Sequence, residues 1–296
     1  MAETINVKKL AKQHKEAKSV SMIVVYTVVV IIFAIFALSY LCILIWAILA
    51  GLNSHVGINL HPFSFPETLH WSNYIEVFRR LEVNNVGFIG MLGNSLYFSV
   101  LGSFIGCMVT AMISYVTCKY KFPGSKIFYP LVVIMMSLPI YGTGGSMYKL
   151  LFNLNWINSP LQILLATSGL GINYLYFFAA FTSVSNTYSE AAQLDGAGDY
   201  TIFFRVMLPQ VMPLFGALFV ISWVADWNNY SSVLLYLPKM PTLAGGIYMF
   251  ELEIERTMRS DILYAAYVVA SIPPLLLFIF CNKALTSNVS IGGIKE

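Results

Sequence analysis

The sequence predicts an all-α membrane protein with six transmembrane helices, and three observations carry that reading. Of its 296 residues, 58% are hydrophobic and 10% charged, with a mean hydropathy of +0.72. A soluble domain is about a quarter charged. So much apolar surface cannot be hidden in one water-soluble core, and the bilayer must act as solvent. Next, apolar runs long enough to span recur along the chain, separated by short polar segments. Finally, lysines and arginines alternate in density from one polar segment to the next, as crossings of a membrane require.

Residues 1–20 form a polar tail with Lys8, Lys9, Lys12, Lys15 and Lys18 against Glu3 and Glu16. Ser21 to Ala50 is the first span, uncleaved, and long enough to tilt or extend beyond a hydrocarbon core of about 30 Å. Residues 51–87 read as an ordered outer loop, with His61-Pro62, Phe65-Pro66 and Trp71-Ser72-Asn73-Tyr74 near the interface. The second span runs from about Val86 to Cys118, and its Asn94-Ser95 pair suits helix packing better than solute contact. A basic Pro123-Gly124 turn follows. The third span, 127–151, is broken near Pro139 and Gly142-Thr143-Gly144-Gly145, a break that either lines a cavity or is a simple kink. Asn153 to Pro160 is a short turn. The fourth span is 161–183, the fifth 211–237 and the last 262–285, the last kinked by Pro273-Pro274. Residues 238–261 read as a second outer loop, amphipathic and charged, with a solvated face as the simpler reading and a receptor-docking surface as the sharper one. The domain plan is a tail at 1–20, a membrane domain at 21–285 and a tail at 286–296.

With the N-terminus inside, inner segments carry eleven Lys and Arg: the five tail lysines, Lys119, Lys121, Lys126, Arg205, Lys283 and Lys295. Outer segments carry six, namely Arg79, Arg80, Lys149, Lys239, Arg256 and Arg259. The bias places both termini in the cytoplasm.

One stretch breaks the apolar pattern. Ser189-Glu190-Ala191-Ala192-Gln193-Leu194-Asp195-Gly196-Ala197-Gly198-Asp199-Tyr200 is polar and leads through Arg205 to Leu208-Pro209. Glu-Ala-Ala favours helix, Ser189 is a candidate cap, and Gly196 and Gly198 allow a sharp turn. Pro209 and Pro213 shape the entry to the next helix. The segment reads as helix, turn, helix: a rigid knob outside the bilayer, spanning 186–213.

This spacing resembles the EAA loop of ABC importer permeases. Glu190, Ala191, Ala192, Gly196, Val206, Leu208 and Pro209 fall at the family's positions. Val206 stands where isoleucine is usual, and Ser185 where many members carry proline. The Leu-Asp-Gly-Ala run at 194–197 and the Gly-aliphatic-Lys ending within Ser290–Glu296 look like the carbohydrate (maltose-type) branch. The resemblance implies the type I ABC importer permease fold and a binding-protein-dependent inner-membrane component of a prokaryotic plasma membrane. It implies partners: two copies of an ABC ATPase, a second homologous permease, an extracytoplasmic solute-binding protein and a sugar or oligosaccharide substrate. Glu190, Ala191, Ala192, Asp195, Gly196, Leu208 and Pro209 are the expected ATPase-coupling residues, with Glu190 in a salt bridge. Glu190 also suits a plain helix-starting acid.

In the fifth span, Trp223, Asp226, Asn229 and Tyr230 share a helical face by spacing. Asp226 is the one acid placed within a span, which marks it as a functional candidate. Aromatic rings with amide and carboxylate groups are sugar-binding chemistry. Alternatively, Asp226 sits near the mouth and pairs with water or a helix end. Other solute classes, peptide or phosphate, share the motif. An ion-coupled secondary transporter would need more intramembrane charge than Asp226 supplies. No phosphate-binding loop, nucleophile elbow or metal-ligand spacing is present, and Cys42, Cys107, Cys118 and Cys281 read as buried apolar groups. The sequence therefore predicts a non-catalytic permease subunit with no cofactor or metal, with lipid around it and no nucleic-acid partner.

Overall fold

The computed structural model describes residues 2–138, 142–165, 169–257 and 259–286. The tail motif at 290–296 and Pro139 lie outside them. Among the described residues the regular structure is helical apart from one two-stranded hairpin.

Helix α1 (Ala2–Gly51) runs unbroken from the lysine-rich segment through the first apolar run. Its side chains from Met22 to Ser39 are all exposed, and it packs mainly on the last helix of the chain. A single apolar helix with no buried stripe is stable only with lipid around it. After α2 (His55–Leu60) and α3 (Ser72–Arg80), the buried Asn73 donates to the carbonyls of Gly51 (3.0 Å) and Asn53 (2.9 Å). These bonds supply partners near the C-terminal end of α1, where carbonyls would otherwise be orphaned. The loop is ordered for that reason.

Strands β1 (Glu82–Val83) and β2 (Val86–Gly87) turn the chain through Asn84 and Asn85, both at positive φ. Helix α4 (Phe88–Leu96), a π turn at Tyr97–Leu101 and α5 (Gly102–Lys119) then form one span of 32 residues. Asn94 donates to the Pro241 carbonyl (3.0 Å), and Ser95 accepts from the Leu243 amide (2.7 Å). Both make packing bonds.

The third run splits into α6 (Ser125–Ser137) and α7 (Thr143–Asn153), with Gly142 left-handed at the start of α7. The fourth divides into α8 (Gln162–Leu165) and α9 (Ile172–Ser183). The knob comprises α10 (Thr187–Leu194), α11 (Asp199–Thr201), a π turn at Ile202–Met207 and α12 (Leu208–Gln210). Helix α13 (Met212–Trp227) follows, bent 80° from the Asp199–Gln210 segment. It ends at Trp227, ten residues short of the expected 237, and α14 (Ser231–Tyr236) is a separate piece.

The solvated face expected of the segment at 238–261 is corrected by the structure. It contains α15 (Leu243–Thr257), which buries Leu243 and Ile247 in the same core as Trp223, Trp227 and Met91. Leu243 and Ile247 are four apart and share one face. A Cβ at Gly246 would lie 2.2 Å from the Met91 sulfur, so α15 approaches α4 as closely as only glycine permits. Asp261, expected on a solvated face, is 1% exposed and takes a two-pronged bond from Arg259 (3.0 and 2.9 Å). The last helix, α16 (Ser260–Thr286), carries Pro273 and Pro274 inside it and packs on α1, α3 and α13.

Among the described residues, three helices are long and apolar enough to cross a membrane, and a fourth crossing results if the bent pair counts as one. The breaks in the third and fourth runs keep those segments below that length.

Candidate functional site

Two features at opposite ends of α13 carry chemistry: the knob before it and a polar cavity around its C-terminal end.

The knob is shaped by its own sequence. Asn186 occupies the N-cap position of α10, and Ser189 is not its cap, since its hydroxyl donates to the Asn186 carbonyl (2.8 Å). At the other end, the Ala197 amide donates to the Ala192 carbonyl (2.9 Å) and the Gly196 amide to Gln193 (3.0 Å). Gly196 has φ +78. This is a Schellman ending, which requires a left-handed residue at that place and brings the flanking Ala192 and Ala197 together. Both alanines pack on the core formed by Tyr115, Phe181, Phe203 and Leu208.

The motif therefore divides in two. Leu208 is 6% exposed and roots the knob in that core, with Ala192 and Val206 beside it. Glu190, Ala191, Asp195, Gly196 and Pro209 face outward. Helix α10 has no buried residue, and Leu194 is 89% and Tyr200 77% exposed. The Glu190 carboxylate has no ion-pair or hydrogen-bond partner among the described residues.

The end of α5 clamps the knob. The Lys119 ammonium donates to the Val184 carbonyl (2.6 Å) and to Asn186 Oδ1 (2.8 Å), and the Tyr120 hydroxyl donates to Asp199 Oδ1 (2.8 Å). Burial and the bond to Asp199 hold the Tyr120 phenol above its ordinary value, so it stays a donor at physiological pH. The basic turn after the second span gave no sequence sign of this clamp.

The four predicted pathway residues are not on one helical face, because the helix stops at Trp227. Trp223 is buried, stacked on Trp227 at 5.1 Å, and its indole N–H has no partner among the described residues. Asp226 and Asn229 line a cavity of about 350 Å³. Tyr230 lines a second cavity and stacks on Tyr248 at 4.6 Å. The first cavity is also lined from α5, α9 and α14 and holds Ser103, Gln162, Asn173, Ser222 and Ser232, none singled out by the sequence. Asp226 Oδ2 accepts from Ser103 (2.8 Å), Asn173 donates to Ser222 (3.1 Å) and Asn229 to Ser232 (3.1 Å). The π turn at Tyr97–Leu101 leads directly into the α5 residues of this cavity, a placement common for such turns at functional sites. Hydroxyls, amides and one carboxylate around an open space can donate to and accept from a polyhydroxylated solute.

Residues 99–291 match the family described as "binding-protein-dependent transport system inner membrane component". The arabinooligosaccharides transport system permease protein AraQ of Bacillus subtilis is 27% identical over 81% of this chain and 83% of its own length. The diacetylchitobiose uptake system permease protein NgcG of Streptomyces coelicolor is 24% identical over 85% of this chain and 83% of its own. A chain of a bacterial ABC transporter involved in the import of the acidic polysaccharide alginate has the same fold. It matches with a TM-score of 0.72 at 19% identity, over 88% of this chain and 95% of that one. The family match spans well over half of the sequence and includes the whole knob and α13, so this multi-pass membrane protein belongs to the binding-protein-dependent transport system inner membrane component family.

Proposed function

We propose that the chain is the transmembrane subunit of an ATP-driven importer for a sugar or oligosaccharide, and that it couples to a separate ATPase through the loop at 186–213. On this reading the chain crosses six times, through α1, α4–α5, α6–α7, α8–α9, α13–α14 and α16, with both termini cytoplasmic. It supplies one half of the pathway, a second homologous permease the other. Two ATPase copies grip the two knobs from inside, and a solute-binding protein delivers cargo from outside.

One observation carries the coupling role: α10 leaves its outer face uncovered, with an unpaired Glu190 and a bare Leu194 on a knob clamped rigidly to α5. An exposed apolar side chain beside an unpaired charge fits a docking surface. The 80° bend before α13 converts sideways motion of the knob into tilting of that helix, which bears the cavity residues Ser222 and Asp226. Closure and reopening of the ATPase pair would thus switch the pathway between inward-facing and outward-facing as a rigid-body change.

Three things support a carbohydrate cargo: the cavity's hydroxyl and amide lining, the aromatic stack beside it, and relatives named for arabinooligosaccharides, diacetylchitobiose and maltodextrin. The test is Glu190→Lys in the assembled transporter. ATPase association and solute uptake should both fall while the level of the chain in the membrane is unchanged. Normal association and uptake would refute the docking role.

A further inference from the structure

We infer that the pathway through this chain is built for uncharged glycans and rejects acidic ones, with Asp226 as the residue that sets this preference. The inference rests on reading the cavity as part of a solute pathway.

The first cavity holds one charged side chain among its described lining residues, Asp226, and no lysine, arginine or histidine. Its Oδ2 accepts from Ser103, while Oδ1 has no hydrogen-bond partner among the described residues. The carboxylate is therefore oriented by one hydroxyl and left with acceptor capacity facing the open space. The second cavity, across the C-terminal end of α13, repeats the pattern. Among its described lining residues the single charged group is Glu251, which accepts from the Tyr267 hydroxyl (3.0 Å), and again none is basic. Trp227 and Tyr230 on one side and Asp226 and Asn229 on the other bring the two cavities within a few residues of each other.

Two carboxylates without a counter-cation create a negative local field, strengthened by the low-dielectric walls of a membrane protein. A sugar hydroxyl can donate to Oδ1 in a charge-assisted bond. The amides of Asn229, Asn173 and Gln162 can serve further hydroxyls in either direction. A uronate in the same place would set like charges against each other with no arginine or lysine to offset them. The similar chain of the alginate importer shares the fold, and the prediction is that the two differ in cargo charge.

The test does not require the solute to be known. Ile172 lines the first cavity and is 53% exposed. In the full transporter in native membranes, Cys42, Cys118 and Cys281 are replaced by serine and Ile172→Cys is introduced. The rate at the buried Cys107 is subtracted using the same chain without Ile172→Cys. Labelling rates are measured for trimethylammonioethyl and sulfonatoethyl methanethiosulfonate, each normalised to a free thiol in solution. The cationic reagent should be favoured by about fivefold or more, and Asp226→Asn, which still accepts from Ser103, should bring the ratio close to one. A normalised ratio of one or less, a ratio that Asp226→Asn leaves unchanged, or no reaction with either reagent would overturn the inference. Failure of the coupling reading would show elsewhere, as normal ATPase association in Glu190→Lys with these rates as predicted.

Discussion

Lys119, the last residue of α5, holds Asn186, the residue just before α10: its ammonium lies 2.8 Å from Asn186 Oδ1 and 2.6 Å from the Val184 carbonyl. One side chain thus fixes the knob to a span that lines the polar cavity through Ser103, Cys107 and Thr110. Motion of the knob must reach the cavity through this joint and through the bend before α13.

Replacing Lys119 with methionine keeps the aliphatic stem and removes the donor. Bonds to a charged group are worth about 1.5–3 kcal/mol each when buried, and less at this half-exposed place. The chain should insert normally, with faster amide exchange over 185–200 and uptake reduced several-fold. Unchanged exchange would show that the joint does not hold the knob.

Gly196 should rank substitutions by their tolerance of positive φ. A left-handed conformation costs an ordinary residue about 1–2 kcal/mol, and asparagine less. Uptake should fall in the order glycine, asparagine, valine, with the thermal stability of the purified transporter following the same order. Equal activity of asparagine and valine would contradict the Schellman ending.

Leu208 and Leu194 make a contrasting pair within the motif region. Leu208→Ala removes a buried side chain and should destabilise the chain by about 2–5 kcal/mol. Leu194→Ala, at 89% exposure, should leave the stability of the isolated chain unchanged and weaken ATPase association. Thermal denaturation and co-purification separate the two. Loss of stability in Leu194→Ala would mean that its face is already covered.

Gly246→Leu should block assembly of the α15–α4 contact, because the new side chain meets the Met91 sulfur. Met91→Ala in the same chain should restore part of the lost membrane level. A single variant that accumulates normally would show that α15 can move away from α4 at little cost.

Much of this could be read along the sequence. The knob's helix, turn and exit follow from local chemistry, since a Schellman ending needs glycine within one short segment and Gly196 supplies it. The break at Gly142 and the paired prolines of α16 are equally local. What could not be read arises between distant segments. Ser103 reaches Asp226 across 123 residues and Asn173 reaches Ser222 across 49, so no spacing rule points to either. Extending helical spacing from Trp223 to Tyr230 assumed a helix that ends at Trp227, and it grouped residues that belong to a core and two cavities. The segment at 238–261 read as solvated because its acids stand out. Leu243 and Ile247 decide its fate by fitting the core beside Met91.

The most direct test of the central claim is gentle detergent purification of the tagged chain from its host, with mass spectrometry of what accompanies it. The account predicts an ATPase carrying a phosphate-binding loop and a second polytopic chain, with the ATPase alone lost or depleted in Glu190→Lys. A chain that purifies alone and transports solute without ATP would contradict it.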